Sequence, residues 1–446
     1  MLPATNVKKM KLSLYTYLFE NKGLYYLYNS QTGLFSTITP EVYESLYNHD
    51  FEGINQEVLQ ILKEKKIIIE DGHLYDYYHL CRQNFLMSIG NNDSLSLVIA
   101  PTTGCNFACP YCFEGEKEDK RMSKEVINDL ISFIQSSKDI PKIDITWYGG
   151  EPLTAFDIMK EIVSRIKNEC SQKIISQSIV TNGYLFNDKV IEFMKEEKFT
   201  SIQITFDGTE EHHNMTRYLR GSGKPTYGRI MANVEKLISK MPESTKISLR
   251  ININKDNDED FAAMFKEIKQ KYSNHRVHVY PGFIRESNVD NSKMCFKSLS
   301  GESKYKFYQK VANTGLMVDF YPKRQHKGCM ISCANSFIVG PEGELYKCWN
   351  DFNHPERIVG YLKDKKMINT SLIGKYSYEA TIYSDPKCKE CKLFPVCDGG
   401  CGWFRYQNTI EGKNYDVCTF LSDNHILEEC LLMKGVEDKK NAIRAF

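Results

Sequence analysis

Three cysteines within eight residues, in the run Cys105-Asn106-Phe107-Ala108-Cys109-Pro110-Tyr111-Cys112, constrain this chain more than any other feature. Their side chains can face one centre only if the backbone loops around it. Gly104 before them and Pro110 among them favour a loop over a helix. The run follows an apolar stretch at residues 95–100 that reads as a strand. An iron–sulfur cube takes four thiolates, so three leave one iron open to another ligand. A zinc knuckle or a set of buried thiols is the competing reading of the same residues.

The length of 446 residues exceeds one ordinary core and predicts two or three domains. A formal charge of +1 supplies no general field for nucleic acid, so none is expected as a partner. No apolar run is long enough to cross a bilayer, and the basic start at Lys8, Lys9 and Lys11 leads into alternating, polar-interrupted sequence rather than a secretory signal. A cytoplasmic protein with no membrane partner is therefore expected. In that compartment fifteen cysteines read as metal ligands rather than disulfides.

Residues 1–90 open with strand-like alternation at Tyr15, Tyr17 and Phe19, a turn at Asn21-Lys22-Gly23, a second strand at Leu24, Tyr25 and Leu27, and a further turn ending at Gly33. Thr39 and Pro40 fit the cap and first turn of a helix bearing Val42, Tyr43 and Leu46. A second helix carries Val58, Leu59, Ile61 and Leu62 and runs into a strand at Ile67-Ile68-Ile69. A hairpin followed by helices is a small winged-helix-like arrangement, with peptide recognition or plain packing and dimerisation as its open uses.

Between 91 and 320, short β-like runs alternate with amphipathic helical ones, the pattern of strand-helix units around a parallel sheet. Six strands are legible, at residues 95–100, 143–148, 174–180, 201–206, 246–253 and 276–280, too few for a closed eight-fold barrel. Ligands of such sheets sit at the carboxyl ends of the strands. The first of those ends carries the three cysteines, and the second carries Gly149-Gly150-Glu151-Pro152. There, paired glycines allow close approach to the backbone and Glu151 offers acceptors to an ammonium group. The third carries Thr181-Asn182-Gly183. The fourth carries Asp207-Gly208 and then Arg217, whose fork suits a carboxylate, with Arg220 a close competitor. Arg250 and Asn252 alternate onto one face of the fifth strand, while His275 and His278 read as edge packing.

The C-x3-C-x2-C spacing with Tyr111, followed by these loops, resembles the radical S-adenosylmethionine (SAM) superfamily. That resemblance implies an open, partial (β/α)6 TIM-like barrel in an α/β chain. It also implies a 4Fe-4S cluster on Cys105, Cys109 and Cys112 that chelates SAM through its open iron. SAM contacts are then expected from Tyr111, Gly149, Gly150, Glu151, Pro152, Thr181, Asn182, Asp207 and Arg217. The N-terminal arrangement resembles the recognition domain that precedes many enzymes acting on ribosomally made peptides, where a leader segment adds a strand beside a helix.

Nine cysteines follow residue 328. Cys348 after Gly343, then Cys388, Cys391, Cys397 and Cys401 in a C-x2-C-x5-C-x3-C run, and finally Cys418 resemble the SPASM extension with its two auxiliary 4Fe-4S clusters. The family's interleaved ligation assigns Cys329, Cys333, Cys348 and Cys401 to one cluster and Cys388, Cys391, Cys397 and Cys418 to the other. Cys329 is the weak member, and Cys81, Cys170, Cys295 and Cys430 read as core or surface thiols. Paired structural zinc sites are the alternative.

These resemblances imply three domains: a leader-recognition domain at 1–90, a radical SAM barrel at 91–320 and a SPASM domain at 321–446. The expected enzyme cleaves SAM reductively to a 5′-deoxyadenosyl radical, draws electrons from a donor such as flavodoxin or ferredoxin, and installs a thioether, carbon–carbon or carbon–oxygen cross-link in a precursor peptide. Two other readings are maturation of an anaerobic sulfatase, which would tolerate deletion of residues 1–90, and a non-enzymatic zinc scaffold. No carboxylate or histidine pair nominates a general acid or base by spacing.

Overall fold

The structure is a computed structural model describing residues 9–112, 118–272, 276–284, 301–313, 328–352 and 354–433. It divides into two compact units, one drawn from residues 1–89, 319–332 and 375–446 and the other from 90–318 and 333–374. Cys295 and His275 lie outside the described residues.

In the first unit, β1 (Met10–Leu12) pairs antiparallel with β5 (Ile68–Glu70), and β2 (Thr16–Asn21), β3 (Leu24–Asn29) and β4 (Leu34–Ile38) form an antiparallel meander. Lys22 and Gly23 both hold positive φ, 52° and 75°, the tight turn whose twist matches a hairpin. Thr39 caps the helix Pro40–Tyr47 by accepting from the Val42 N–H, as the sequence predicts. Leu27, Leu46, Ile54, Leu62, Ile67 and Ile68 form the core of this part.

A second core in the same unit joins distant stretches of chain. Tyr15, Tyr77, Tyr78 and Cys81 pack with Phe394, flanked by Ile382, Tyr383 and Cys391. Tyr78 donates to the Tyr383 carbonyl at 2.9 Å, and Tyr383 donates to the Cys81 carbonyl at 3.1 Å. Removing residues 1–90 would therefore strip apolar cover from the C-terminal cysteine region. The helix Asp76–Ile89 that carries three of these residues has no clear periodic stripe in the sequence, because Leu80, Leu86 and Met87 place apolar side chains on its exposed face as well.

The second unit is an α/β structure on a ten-stranded sheet. Its parallel portion contains the six expected strands in chain order: β6 (Ser94–Ile99), β7 (Lys142–Trp147), β8 (Lys173–Thr181), β9 (Phe199–Phe206), β10 (Lys246–Ile253) and β11 (Val277–Phe283). The sheet does not close. Beyond β6 it continues instead into β12 (Ser336–Val339), parallel to β6, and then the antiparallel β13 (Glu344–Tyr346), β14 (Gly360–Tyr361) and β15 (Lys366–Met367). These four strands are absent from the sequence reading, being two to four residues long with no room for a period.

Alternate residues of the parallel strands are buried and apolar: Leu95, Leu97 and Ile99, then Ile143, Ile145 and Trp147, then Ile247, Leu249 and Ile251. Apart from Val98, the intervening positions of these strands are polar, and such positions bond across strands, Thr146 to Ser178 at 2.9 Å and Tyr280 to Gln203 at 2.6 Å. One polar face is unusual for a parallel sheet, which is normally covered on both sides. Ser123 caps the helix Lys124–Ser136 by accepting from the Val126 N–H at 3.2 Å, and Ile127, Leu130, Ile131 and Ile134 on that helix are buried. Among the described residues no helix is long and apolar enough to cross a membrane.

Candidate active site

The cysteine loop leaves the carboxyl end of β6 and is pinned at several points along its length. Thr102 donates its hydroxyl to the Lys120 carbonyl at 2.7 Å while accepting from the Gly104 N–H. Further on, the Ala108 N–H donates to the Tyr218 carbonyl and the Arg220 N–H to the Asn106 carbonyl. This second seam fixes the chain on either side of Arg217 against the loop.

The Gly-Gly-Glu-Pro segment lies against the base of the same loop, where its glycines leave no space for a side chain. A Cβ on Gly149 would lie 2.3 Å from the Thr102 carbonyl oxygen, and one on Gly150 would lie 2.2 Å and 2.4 Å from the oxygens of Thr103 and Gly104. The backbone that approaches is the chain's own, and the Glu151 N–H donates to the Gly104 carbonyl at 2.9 Å. The Glu151 carboxylate is fully buried. It accepts from the Thr181 hydroxyl at 2.8 Å, the Asn182 N–H at 2.7 Å and the Leu153 N–H at 3.1 Å. Burial pushes its pKa up, against the pull of these bonds and of Arg217. Glu151 thus ties the ends of β7 and β8 together, and Pro152 begins the helical turn that follows it. Asn182 reaches the cysteine loop by donating to Asn106 at 2.7 Å.

At the ends of β9 and β10 a polar knot forms around Asp207. Tyr111 and Thr216 donate their hydroxyls to Oδ2, and Asn252 donates to Oδ1 at 3.1 Å. Arg217 donates to the Tyr111 oxygen at 3.0 Å and stands 3.9 Å from Asp207, with its guanidinium 5.6 Å from the centre of the Phe107 ring. Burial opposes the Arg217 charge, but Tyr111, Cys109 and Asp207 outweigh it and hold its pKa well up. The rival, Arg220, is half-exposed on Asp119. Asn252 belongs to the knot, whereas Arg250 donates to the Asn252 side chain from one step back. His278 stacks on Tyr280 of the edge strand β11.

Burial lifts the Cys109 thiol to about 12, with Arg217 pulling it down and Asp207, Cys112 and Cys105 pushing it up, so the three thiols lie within electrostatic reach of one another. Arg217 Nε and Asn106 Nδ2 are buried donors with no acceptor among the described residues. Three clustered thiols beside two orphaned donors are the donor set expected around an iron–sulfur centre with an acceptor-rich ligand.

The later cysteines fall in both units, Cys333 and Cys348 in the second and Cys329, Cys388, Cys391, Cys397, Cys401 and Cys418 in the first. Four of the latter stand close enough to perturb one another: Cys388 feels Cys397, while Cys397 and Cys418 each feel Cys391. Gly399 and Gly400, both at positive φ, turn the chain between Cys397 and Cys401. A Cβ on Gly400 would lie 2.2 Å from the Val417 carbonyl oxygen, so the missing side chain lets this turn abut Cys418. Asp385 caps the helix Pro386–Lys389 that presents Cys388. Cys81 and Cys430 are buried and Cys170 is partly buried. Among the described residues no three His, Cys, Asp or Glu side chains are arranged to hold a single metal ion. The four thiolates of a cubane each ligate their own iron and need no such convergence.

Residues 99–268 match the family model described as the Radical SAM superfamily. The chain is 25% identical over 354 residues to the cysteine-type anaerobic sulfatase-maturating enzyme of Clostridium novyi, covering 73% of this chain and 92% of that protein. It is 21% identical over 438 residues to the radical SAM cyclopropyl synthase TigE of Paramaledivibacter caminithermalis, covering 92% and 88%. The solved structure of anSMEcpe with bound AdoMet superposes with a TM-score of 0.59 at 19% identity, over 78% of this chain and 96% of that one. The open parallel sheet, the cysteine loop at its first strand end and the family match together establish that this chain is an enzyme with a radical SAM domain.

Proposed function

We propose that the loop of Cys105, Cys109 and Cys112 holds a 4Fe-4S cluster that binds SAM, and that the enzyme uses them to cross-link a ribosomally made precursor peptide. The cofactor reading is carried by Arg217, a buried cation with an undirected Nε beside three thiols at the strand ends. Cluster and nucleotide, when bound, supply a carbon-centred radical that removes an unactivated hydrogen. The chain's own residues position and exclude. Arg217 and Asn106 offer their idle donors to the nucleotide's acceptors, and Asp207 balances the cation. Tyr111 fixes its direction, and the Phe107 ring shields it from water. Glu151, Gly149, Gly150, Pro152, Thr181 and Asn182 hold the loops that frame this pocket.

On the resemblance of their spacing to the SPASM extension, we assign the C-terminal cysteines to two auxiliary 4Fe-4S clusters, one on Cys329, Cys333, Cys348 and Cys401 and one on Cys388, Cys391, Cys397 and Cys418. The peptide reading assigns leader recognition to residues 1–90, radical chemistry to 91–320 and the auxiliary clusters to 321–446, with a flavodoxin or ferredoxin as electron donor. Support for a peptide substrate comes from the likeness in fold, over 88% of this chain, to Streptococcus suis SuiB bound to the precursor peptide SuiA. The higher identity to the sulfatase-maturating enzyme than to TigE, 25% against 21%, favours oxidation of a sulfatase cysteine to formylglycine as a second reading.

Reconstituted enzyme, SAM and reductant should be offered a precursor peptide encoded beside the gene, the same peptide without its leader, and a cysteine-bearing sulfatase peptide. Loss of two hydrogens from the full-length precursor only is expected. Formylglycine in the sulfatase peptide, with the precursor untouched, would overturn the cross-linking reading. Separately, Cys109→Ala should cut 5′-deoxyadenosine formation at least 100-fold while retaining about eight of about twelve irons. Undiminished 5′-deoxyadenosine would displace the active centre from this loop.

A further inference from the structure

One side chain in the C-terminal cysteine region was not singled out by any motif. Arg405 lies on the helix Gly402–Ile410, four residues past Cys401, and is 5% exposed. Each of its three nitrogens has a partner. Nε donates to the Gly399 carbonyl at 2.5 Å, Nη1 pairs with Asp385 at 3.1 Å, and Nη2 points to the Cys388 sulfur at 3.4 Å. The guanidinium therefore touches the Gly399 turn between Cys397 and Cys401, the carboxylate that caps the Cys388 helix, and a candidate cluster ligand. A buried arginine serving scaffold alone would be satisfied by carbonyls and Asp385. The bond to sulfur is the contact with chemical consequence.

We propose that Arg405 is a positioning residue for the cluster on Cys388, Cys391, Cys397 and Cys418, donating a charge-assisted N–H···S bond to Cys388 that raises the cluster's reduction potential. The inference rests on the auxiliary-cluster reading of those four cysteines. Hydrogen bonds to cluster sulfurs and nearby positive charge both favour the more negative, reduced state, and outer contacts of this kind tune a metal centre without ligating it. The same contact orients Cys388: Asp385 fixes the fork, and the fork fixes the sulfur. A lysine could keep the charge but not reach the turn carbonyl, the carboxylate and the sulfur together.

Arg405→Lys and Arg405→Gln should be prepared anaerobically and compared with the wild type by iron content, redox titration followed by electron paramagnetic resonance, and melting of the chelated, iron-free protein. With iron retained, the second auxiliary signal should move to lower potential, further in Arg405→Gln than in Arg405→Lys, leaving the SAM-responsive signal in place. If Arg405→Gln instead loses about four irons while its iron-free melting temperature matches the wild type, Arg405 is again assigned to the cluster rather than the fold. Unchanged potential and line shape at full iron content would overturn the proposal. So would a fall in iron-free melting temperature that accounts for the lost iron. A wild type lacking a second auxiliary signal would refute the underlying ligand assignment instead, and that result is distinct from either.

Discussion

His213 shows how one buried side chain sets the state of another. Its Nε2 lies 3.1 Å from the Thr226 hydroxyl, and that hydroxyl donates to the Arg217 carbonyl, so Nε2 must carry the proton that Thr226 accepts. The ring packs in a three-ring cluster with Phe206 and Tyr227 and is fully buried. Burial, aided by the Arg217 charge, pushes its pKa down to about 2. A base whose folded pKa lies below its unfolded value contributes stability above the unfolded pKa and loses it as pH falls. The loss begins near pH 6.5, at up to about 1.4 kcal/mol per pH unit. Urea unfolding at pH 7 and pH 5 should differ by about 2 kcal/mol more in the wild type than in His213→Gln. Equal acid sensitivity in the two would remove His213 from this role. None of this was legible in the sequence, where His213 is one polar residue among Glu210, Glu211 and His212. Arg217 was legible as a candidate, but only the seam through Tyr218 and Arg220 separates it from its rival.

At the scale of elements, the loops at successive strand ends were readable because each carries a turn signal after an apolar run. What they do to one another was not. Gly149 and Gly150 read as room for close approach, and the structure sets residues 102–104 where their side chains would stand. Glu151 reads as a ligand for an ammonium group, yet its oxygens accept from three donors of the protein. These residues shape the pocket by fastening its walls. Gly150→Ala places a methyl on two backbone carbonyls that cannot rotate away, so the loops must part. The expected result is a loss of about four irons per chain from the anaerobically purified protein, together with about 2–3 kcal/mol of stability. Gly53→Ala, whose methyl meets nothing within 4 Å, should leave iron content unchanged. Equal iron in both variants would contradict the fastening role.

Across the molecule, the chain's order and its compact units part ways. Residues 1–89 share a unit and an aromatic core with residues 375–446. Phe394→Ala should therefore cost about 3–5 kcal/mol and loosen both stretches at once. Hydrogen exchange would show it, with the helices Asp76–Ile89 and Gly402–Ile410 losing protection together while β6–β11 keep theirs. Loss confined to the C-terminal stretch would mean that the two regions fold independently.

The sequence by itself determined the parallel strand-helix pattern, the three-thiol loop and the cysteine spacing, because periodicity, turn residues and ligand spacing are local properties of a chain. Tertiary structure alone decided which arginine is buried in the candidate site, that Glu151 is a tie, that Arg405 reaches a cysteine sulfur, and that the two ends of the chain share a core. Those outcomes depend on which distant groups remove one another from water, and burial is settled only when the whole chain has folded.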